Sequence, residues 1–197
     1  MDASNPSQSR YLSLGADEIR VARVRDPKDD SNLVNVQLET VKLDASPIYD
    51  ALSYCWVDAR ITRPICLNGQ VVWVTVNLEA ALRQLSSSQA PPKGELWLWV
   101  DAICINQNDF DERAQQVGMM FRIYQFASRV HIWLGVGEPE AMAGMRLLRE
   151  LVERMKTLPI DRERSDIDFW STEEQRSAGI EALASLCRVP YLSLIHI

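Results

Sequence analysis

Apolar and polar residues alternate along the chain in rhythms that predict its elements. Ile19-Arg20-Val21-Ala22-Arg23-Val24 alternates with period two, and Val34, Val36 and Leu38 resume it after the charged stretch Asp26 to Asn32. This predicts an antiparallel pair of strands lying against a main sheet. Tyr49, Leu52, Tyr54, Cys55 and Trp56 read as a strand interior, with Ser53 and Asp58 as polar groups near its exit. Ile65-Cys66-Leu67, Asn68-Gly69 and Val71 to Val76 read as a hairpin, because Asn-Gly tolerates the positive φ of a type I′ turn. A helical rhythm follows: Leu78, Ala81, Leu82 and Leu85 share one face, and Asn77 reads as the cap.

The run Leu96 to Ile105 is apolar except for Asp101, which predicts a strand buried on both faces. Asn106 to Asp109 are turn formers, and Asp109 with Glu112 resembles a capping box. The helix beyond places Phe110, Ala114, Val117, Phe121 and Tyr124 on one stripe, expected to face the core. Val130 to Leu134 is a further strand, ended by Gly135-Val136-Gly137. Pro139 suits the first turn of a helix over Glu140 to Lys156, whose inner side is expected to carry Met142, Met145, Leu148, Leu151 and Val152. Glu173 to Cys187 reads as a last helix. Two strand–helix units in succession imply parallel strands joined by crossovers, an α/β core decorated by hairpins.

At 197 residues and 47% apolar, the chain has material for one domain and its core. The expected organisation is a disordered tail over 1–14, a single α/β domain over 15–191 and an atypical tail over 192–197. A net charge of −6 without a basic stripe argues against nucleic acid held through its phosphates. No apolar run reaches the length of a membrane span, and the first residues lack the apolar core of a secretory signal. Cys55, Cys66, Cys104 and Cys187 have no paired short spacing, which suits reduced, buried thiols in a cytoplasmic protein. With His131 and His196 as its histidines, the chain offers little support for a zinc site.

Asp101 is the sharpest candidate for chemistry, a carboxylate near the exit of a parallel strand, where open sheets bind ligands. Its structural alternatives are to accept N–H groups of the Asn106-Gln107 loop or to pair with Arg113. Glu112 is favoured by the helix dipole alone, whereas Arg113 is disfavoured there and calls for an anionic partner, either Asp101 or a ligand. Gly135-x-Gly137 is a weak dinucleotide fingerprint, since Glu140 stands at the third glycine. Cys104 with His131 as nucleophile and base is outweighed by a buried thiol and a core histidine. Of the tryptophans, Trp56 beside Asp58 is the credible ligand contact.

These residues resemble the heterokaryon incompatibility (HET) domain of filamentous fungi. The resemblance runs in order through Tyr49-Asp50-Ala51-Leu52-Ser53-Tyr54-Cys55-Trp56, Val74 to Leu78, Leu98-Trp99-Val100-Asp101-Ala102-Ile103-Cys104-Ile105-Asn106-Gln107, Glu112-Arg113, Gln116-Val117, Ile123-Tyr124, Ala127 and Val130 to Gly135. It implies a signalling module in non-self recognition and programmed cell death, acting through protein partners or self-association. HET domains have been likened to Toll/interleukin-1 receptor (TIR) domains, which implies a TIR-like, flavodoxin-like parallel sheet flanked by helices, with N-terminal antiparallel strands and a hairpin insertion. Some TIR domains hydrolyse NAD, which makes NAD a candidate substrate. The implied ligand-binding residues are Ser53, Tyr54, Trp56, Asp58, Asn106, Gln107 and Arg113, with Asp101 and Glu112 as weak catalytic candidates. Two departures stand out: Val57 occupies a position that is usually glycine, and after Arg188-Val189-Pro190-Tyr191 the family's stretch ending in Gln-Glu is missing. A truncated, inactive fragment is therefore a third expectation.

Overall fold

The computed structural model describes residues 10–25, 32–56, 58–88, 96–136, 139–157 and 172–188. The chain divides into two compact units, Met1–Trp133 and Leu134–Ile197.

The first unit is a mixed α/β structure around a seven-stranded sheet. Its strands are β1 (Glu18–Arg25), β2 (Asn35–Lys42), β3 (Asp50–Tyr54), β4 (Thr62–Leu67), β5 (Gln70–Thr75), β6 (Leu96–Trp99) and β7 (Val130–Trp133), in the order β5-β4-β2-β1-β6-β3-β7. The helices are α1 (Val76–Ser88), the single turn α2 (Asp101–Cys104) and α3 (Phe110–Phe126).

The expected parallel strands, antiparallel N-terminal pair and hairpin are all present, joined in one mixed sheet. β3 runs parallel to both β6 and β7, and β4 parallel to β2, while β1 is antiparallel to both β2 and β6 and β4 to β5. The N-terminal pair does not lie against the sheet but forms its middle. Ile19 to Ala22 are buried at every position, so β1 is covered on both faces. Its arginines gave it the pattern of a half-exposed strand, yet Arg20 is buried and Arg23 half-buried. Arg20 is matched by Glu112, and Arg23 lies over the Trp97 ring at 5.6 Å. The hairpin β4–β5 continues the same sheet to its edge, and Asn68 and Gly69 take the positive φ values of 50° and 77° that its turn requires. Asn68 Oδ1 also accepts from the Leu38 N–H at 2.8 Å, tying the turn to β2.

α1 buries Leu78, Ala81 and Leu82 as its pattern predicts. Its cap is Thr75, whose Oγ1 accepts from the Leu78 N–H at 3.2 Å; Asn77 serves elsewhere. α3 departs further from expectation. Glu112, Gln116 and Ile123 face inward, while Phe110, Val117 and Phe121 of the expected core stripe are exposed. Polar fastenings set this rotation, because Glu112 binds Arg20 and Gln116 Nε2 donates to the Glu18 carbonyl at 2.8 Å. Of the stripe, Tyr124 alone packs, edge-on to buried Trp99 with ring centres 5.5 Å apart.

In the second unit α4 (Pro139–Thr157) packs against α5 (Glu173–Cys187). Gly144 is buried and Leu147 and Leu151 are half-buried, whereas Met142, Met145, Leu148 and Val152, expected inside, are exposed. Gly135 sits at φ 106°, the tight turn that its position predicts; Gly137 lies outside the described residues. Among the described residues no helix is long and apolar enough to cross a membrane, and no cluster of three or more His, Cys, Asp or Glu side chains is placed to hold a metal ion.

Candidate functional site

Because β6, β3 and β7 are parallel neighbours, their carboxyl ends open on one edge of the sheet. β6 is shorter than its apolar run. Extended backbone persists to Val100, and Asp101 then opens the helical turn α2, so Ala102, Ile103 and Cys104 are helical rather than strand. A short strand delivers Asp101 directly to the edge.

There it meets the end of β3. The Asp101 carboxylate accepts the Ala102 N–H at 2.7 Å and a hydrogen bond from the Trp56 side chain. Burial pushes its carboxyl above the usual carboxylate range, and these two neutral donors only partly oppose that. The neighbouring Tyr54 hydroxyl is buried and faces Asp101 and Thr75. Burial raises its pKa as well. Trp56 remains 43% exposed, so one face of this corner is open to solvent.

Asn77 closes the other side. Its Nδ2 donates to the Cys55 carbonyl at 2.6 Å, and its Oδ1 accepts from Trp133 Nε1 at 2.8 Å. One amide thus straps the exits of β3 and β7 to the first turn of α1. Sequence reading took Asn77 for a cap and Trp133 for core. The available signal was Thr75, a competent cap residue two positions earlier, which leaves Asn77 free for another task.

Glu112 belongs to a different structure. Arg20 donates to it through Nη1 at 2.6 Å and Nη2 at 2.9 Å, and the Asn106 N–H adds a bond at 2.7 Å. Arg20 Nη1 also donates to the Cys104 carbonyl at 3.1 Å, and Nη2 donates to the Leu12 carbonyl. Tyr11 covers the guanidinium, with its ring centre 4.9 Å away, and donates its hydroxyl to the Ile103 carbonyl at 3.3 Å. Glu112, one of the two catalytic candidates, is thus a buried anchor for the loop after β6. Arg20 was missed, although an arginine inside an apolar strand signals a buried anionic partner.

The other candidates scatter. Asn106 and Gln107 are in the loop, and Gln107 Nε2 donates to the Asp101 carbonyl at 2.9 Å. It is therefore the Asp101 main chain, not its carboxylate, that the loop side chain grips. Ser53 alternates with Tyr54 and points to the opposite face of β3, in register with Ile132. Asp58 is spent on Arg60, which donates to it at 2.9 Å from both Nε and Nη2. Arg113 does not reach Asp101; it is exposed and lies over the Phe110 ring at 5.0 Å. Asp109 caps α3 by accepting from the Asp111 and Glu112 N–H groups, but the reciprocal half of a capping box is absent because Glu112 faces Arg20. His131 pairs with Asp50 at 2.8 Å, and the Cys104 thiol, pushed up to about 12 by burial, is held by the Val100 N–H. Neither is placed to activate the other. Cys55, Cys66 and Cys104 are free thiols.

What draws together is therefore Tyr54, Trp56, Asp101, Asn77 and Trp133. Residues 49–190, which include all five, match the family model described as heterokaryon incompatibility protein (HET). The chain belongs to the HET family. It is 35% identical over 121 residues to heterokaryon incompatibility protein 6, OR allele, of Neurospora crassa, an alignment covering 57% of this chain and 18% of that protein. The chain spans less than a fifth of that relative's length. No solved structure matches it. Within this HET chain the matched segment begins at Tyr49, whose hydroxyl donates to the Ile123 carbonyl at 2.6 Å, so β3 and α3 are tied together where the family region starts.

Proposed function

We propose that this chain is the HET signalling module of a protein acting in fungal heterokaryon incompatibility, which works through protein contacts to trigger cell death when incompatible hyphae fuse. The observation that carries the reading is the family match over residues 49–190, supported by the likeness to the Neurospora protein. The corner formed by Tyr54, Trp56 and Asp101 is its binding site, with Asn77 as the strap that fixes the exits of β3 and β7. A TIR-like arrangement of β6, β3 and β7 with the helices that follow them, and a cytoplasmic location, belong to the same proposal. Expression of the chain in a filamentous fungus tests it. Growth arrest is expected, and Trp56→Ala or Asp101→Asn should abolish it at equal protein level. A soluble, folded chain that leaves growth unchanged overturns the reading.

A second reading, an NAD-cleaving enzyme, is favoured by one observation: a half-buried acid stands beside a partly exposed indole at the carboxyl edge of parallel strands. With Glu112 committed to Arg20, Asp101 is the acid that remains to stabilise a departing nicotinamide. Release of nicotinamide from NAD, lost in Asp101→Asn, would support it. Unchanged NAD in the presence of the folded chain would remove it.

A further inference from the structure

α3 turns an apolar line to solvent. Phe110 is 73% exposed, Val117 54% and Phe121 78%, and Ala114 between them is exposed as well. Steps of four, three and four residues set these four side chains on one line of the helix. Exposed phenylalanines at both ends of such a line, with Ala114 and Val117 between them, mark a contact surface rather than scattered surface apolarity.

Gly118 lies beside this line, in the middle of a 17-residue helix. A Cβ added there would meet nothing within 4 Å. The packing of this chain gives no reason for the residue that weakens a helix interior more than any except proline. A partner backbone approaching closely would supply one.

The charges select the partner. α3 opens on Asp109 and Asp111 and carries Arg122 near its far end. Asp111 and Arg122 are exposed and eleven residues apart, so they flank the apolar line on the same side. Two antiparallel copies of the helix would set Asp111 of each against Arg122 of the other, twice, about a two-fold axis, with their dipoles opposed. Arg122 already bonds Asp17 at 2.5 Å, so each contact would become an acid–base–acid group.

We propose that α3 is a self-association surface, on which a second copy of this chain pairs antiparallel through Phe110, Ala114, Val117 and Phe121. The inference rests on the signalling reading for its purpose, but its test does not. Sedimentation of the full 197-residue chain from micromolar to sub-millimolar concentration should show a monomer–dimer equilibrium. Phe121→Glu and Asp111→Arg should each weaken it about tenfold or more, and the double exchange Asp111→Arg with Arg122→Asp should restore it. Gly118→Ala gives a reading that no folding defect imitates: the thermal midpoint should rise while association weakens. A chain monomeric at the highest concentration overturns the interface, as does a dimer indifferent to both Phe121→Glu and Gly118→Ala. A monomer that still arrests fungal growth would remove this interface and leave the signalling reading standing; a dimer of the expected kind without growth arrest would do the reverse.

Discussion

Glu112 and Asp101 both follow β6, yet their surroundings are opposed. Glu112 is matched by a guanidinium through two bonds and by a backbone N–H through a third. Asp101, also largely withdrawn from water, has the N–H of its own neighbour and an indole, and among the described residues no cation pairs with it. A buried carboxylate that is fully matched holds structure, because removing it strands its partners. A buried carboxylate matched by neutral donors is pushed toward its protonated form and adds little to folding. Acids whose charged form is disfavoured in this way concentrate where ligands bind. That difference is the ground for proposing Glu112 as architecture and Asp101 as part of the site.

The largest expected effect tests the architectural half. Glu112→Ala leaves the Arg20 guanidinium buried with only carbonyl partners and orphans the Asn106 N–H. Breaking a buried pair from one side costs about 3–5 kcal/mol, read as a lower urea midpoint with an unchanged slope. If Glu112→Ala costs no more than Asp101→Ala, the two acids are equivalent and the assignment collapses. An intermediate effect is expected at the strap. Asn77→Ala strips the Trp133 ring N–H and the Cys55 carbonyl of their partners, at a cost of about 1–3 kcal/mol on the same urea measurement. A cost near zero would mean that water replaces the amide and that the strand exits are not strapped.

Much of this contrast was legible before any coordinates, and the failures have a common cause. The hairpin and α1 followed from periodicity and turn chemistry, which are local, whereas the apolar run after Leu96 hid the end of β6 at Trp99 and the helical turn beyond it. Asp101 stood out because it interrupts an apolar run. The misjudged elements are those whose orientation is set by a partner far away in sequence. Arg20 and Glu112 are 92 residues apart, and their pairing both hides an arginine inside β1 and turns the polar side of α3 inward. A hydrophobic stripe predicts the inward face only where burial alone decides, and on α3 hydrogen bonds from Glu112 and Gln116 decide instead. Asn77 was misread for a related reason. Two residues two positions apart can each read as the cap of the same helix, and only the position of Trp133 shows which of them is needed for something else.

The smallest effect sharpens the other half of the contrast. Asp101→Asn keeps an acceptor for the Ala102 N–H and for the Trp56 side chain but removes the charge. In the folded chain the Asp101 carboxyl is raised above its ordinary value of 3.8, chiefly by burial, so folding favours the protonated form. Its contribution to stability is therefore fully present below that ordinary value and is lost as pH rises through the higher folded value. Urea midpoints from about pH 3 to about pH 8 should show the wild type losing stability relative to Asp101→Asn as pH rises, with the two converging at the acid end. The asparagine variant should equal or exceed the wild type at neutral pH while losing the growth-arrest activity. That pairing of retained stability with lost function is the signature of an acid kept for its site. The opposite slope, with the wild type gaining on the variant as pH rises, would mean that the carboxylate form is the one the fold prefers, and would place Asp101 beside Glu112 among the structural acids.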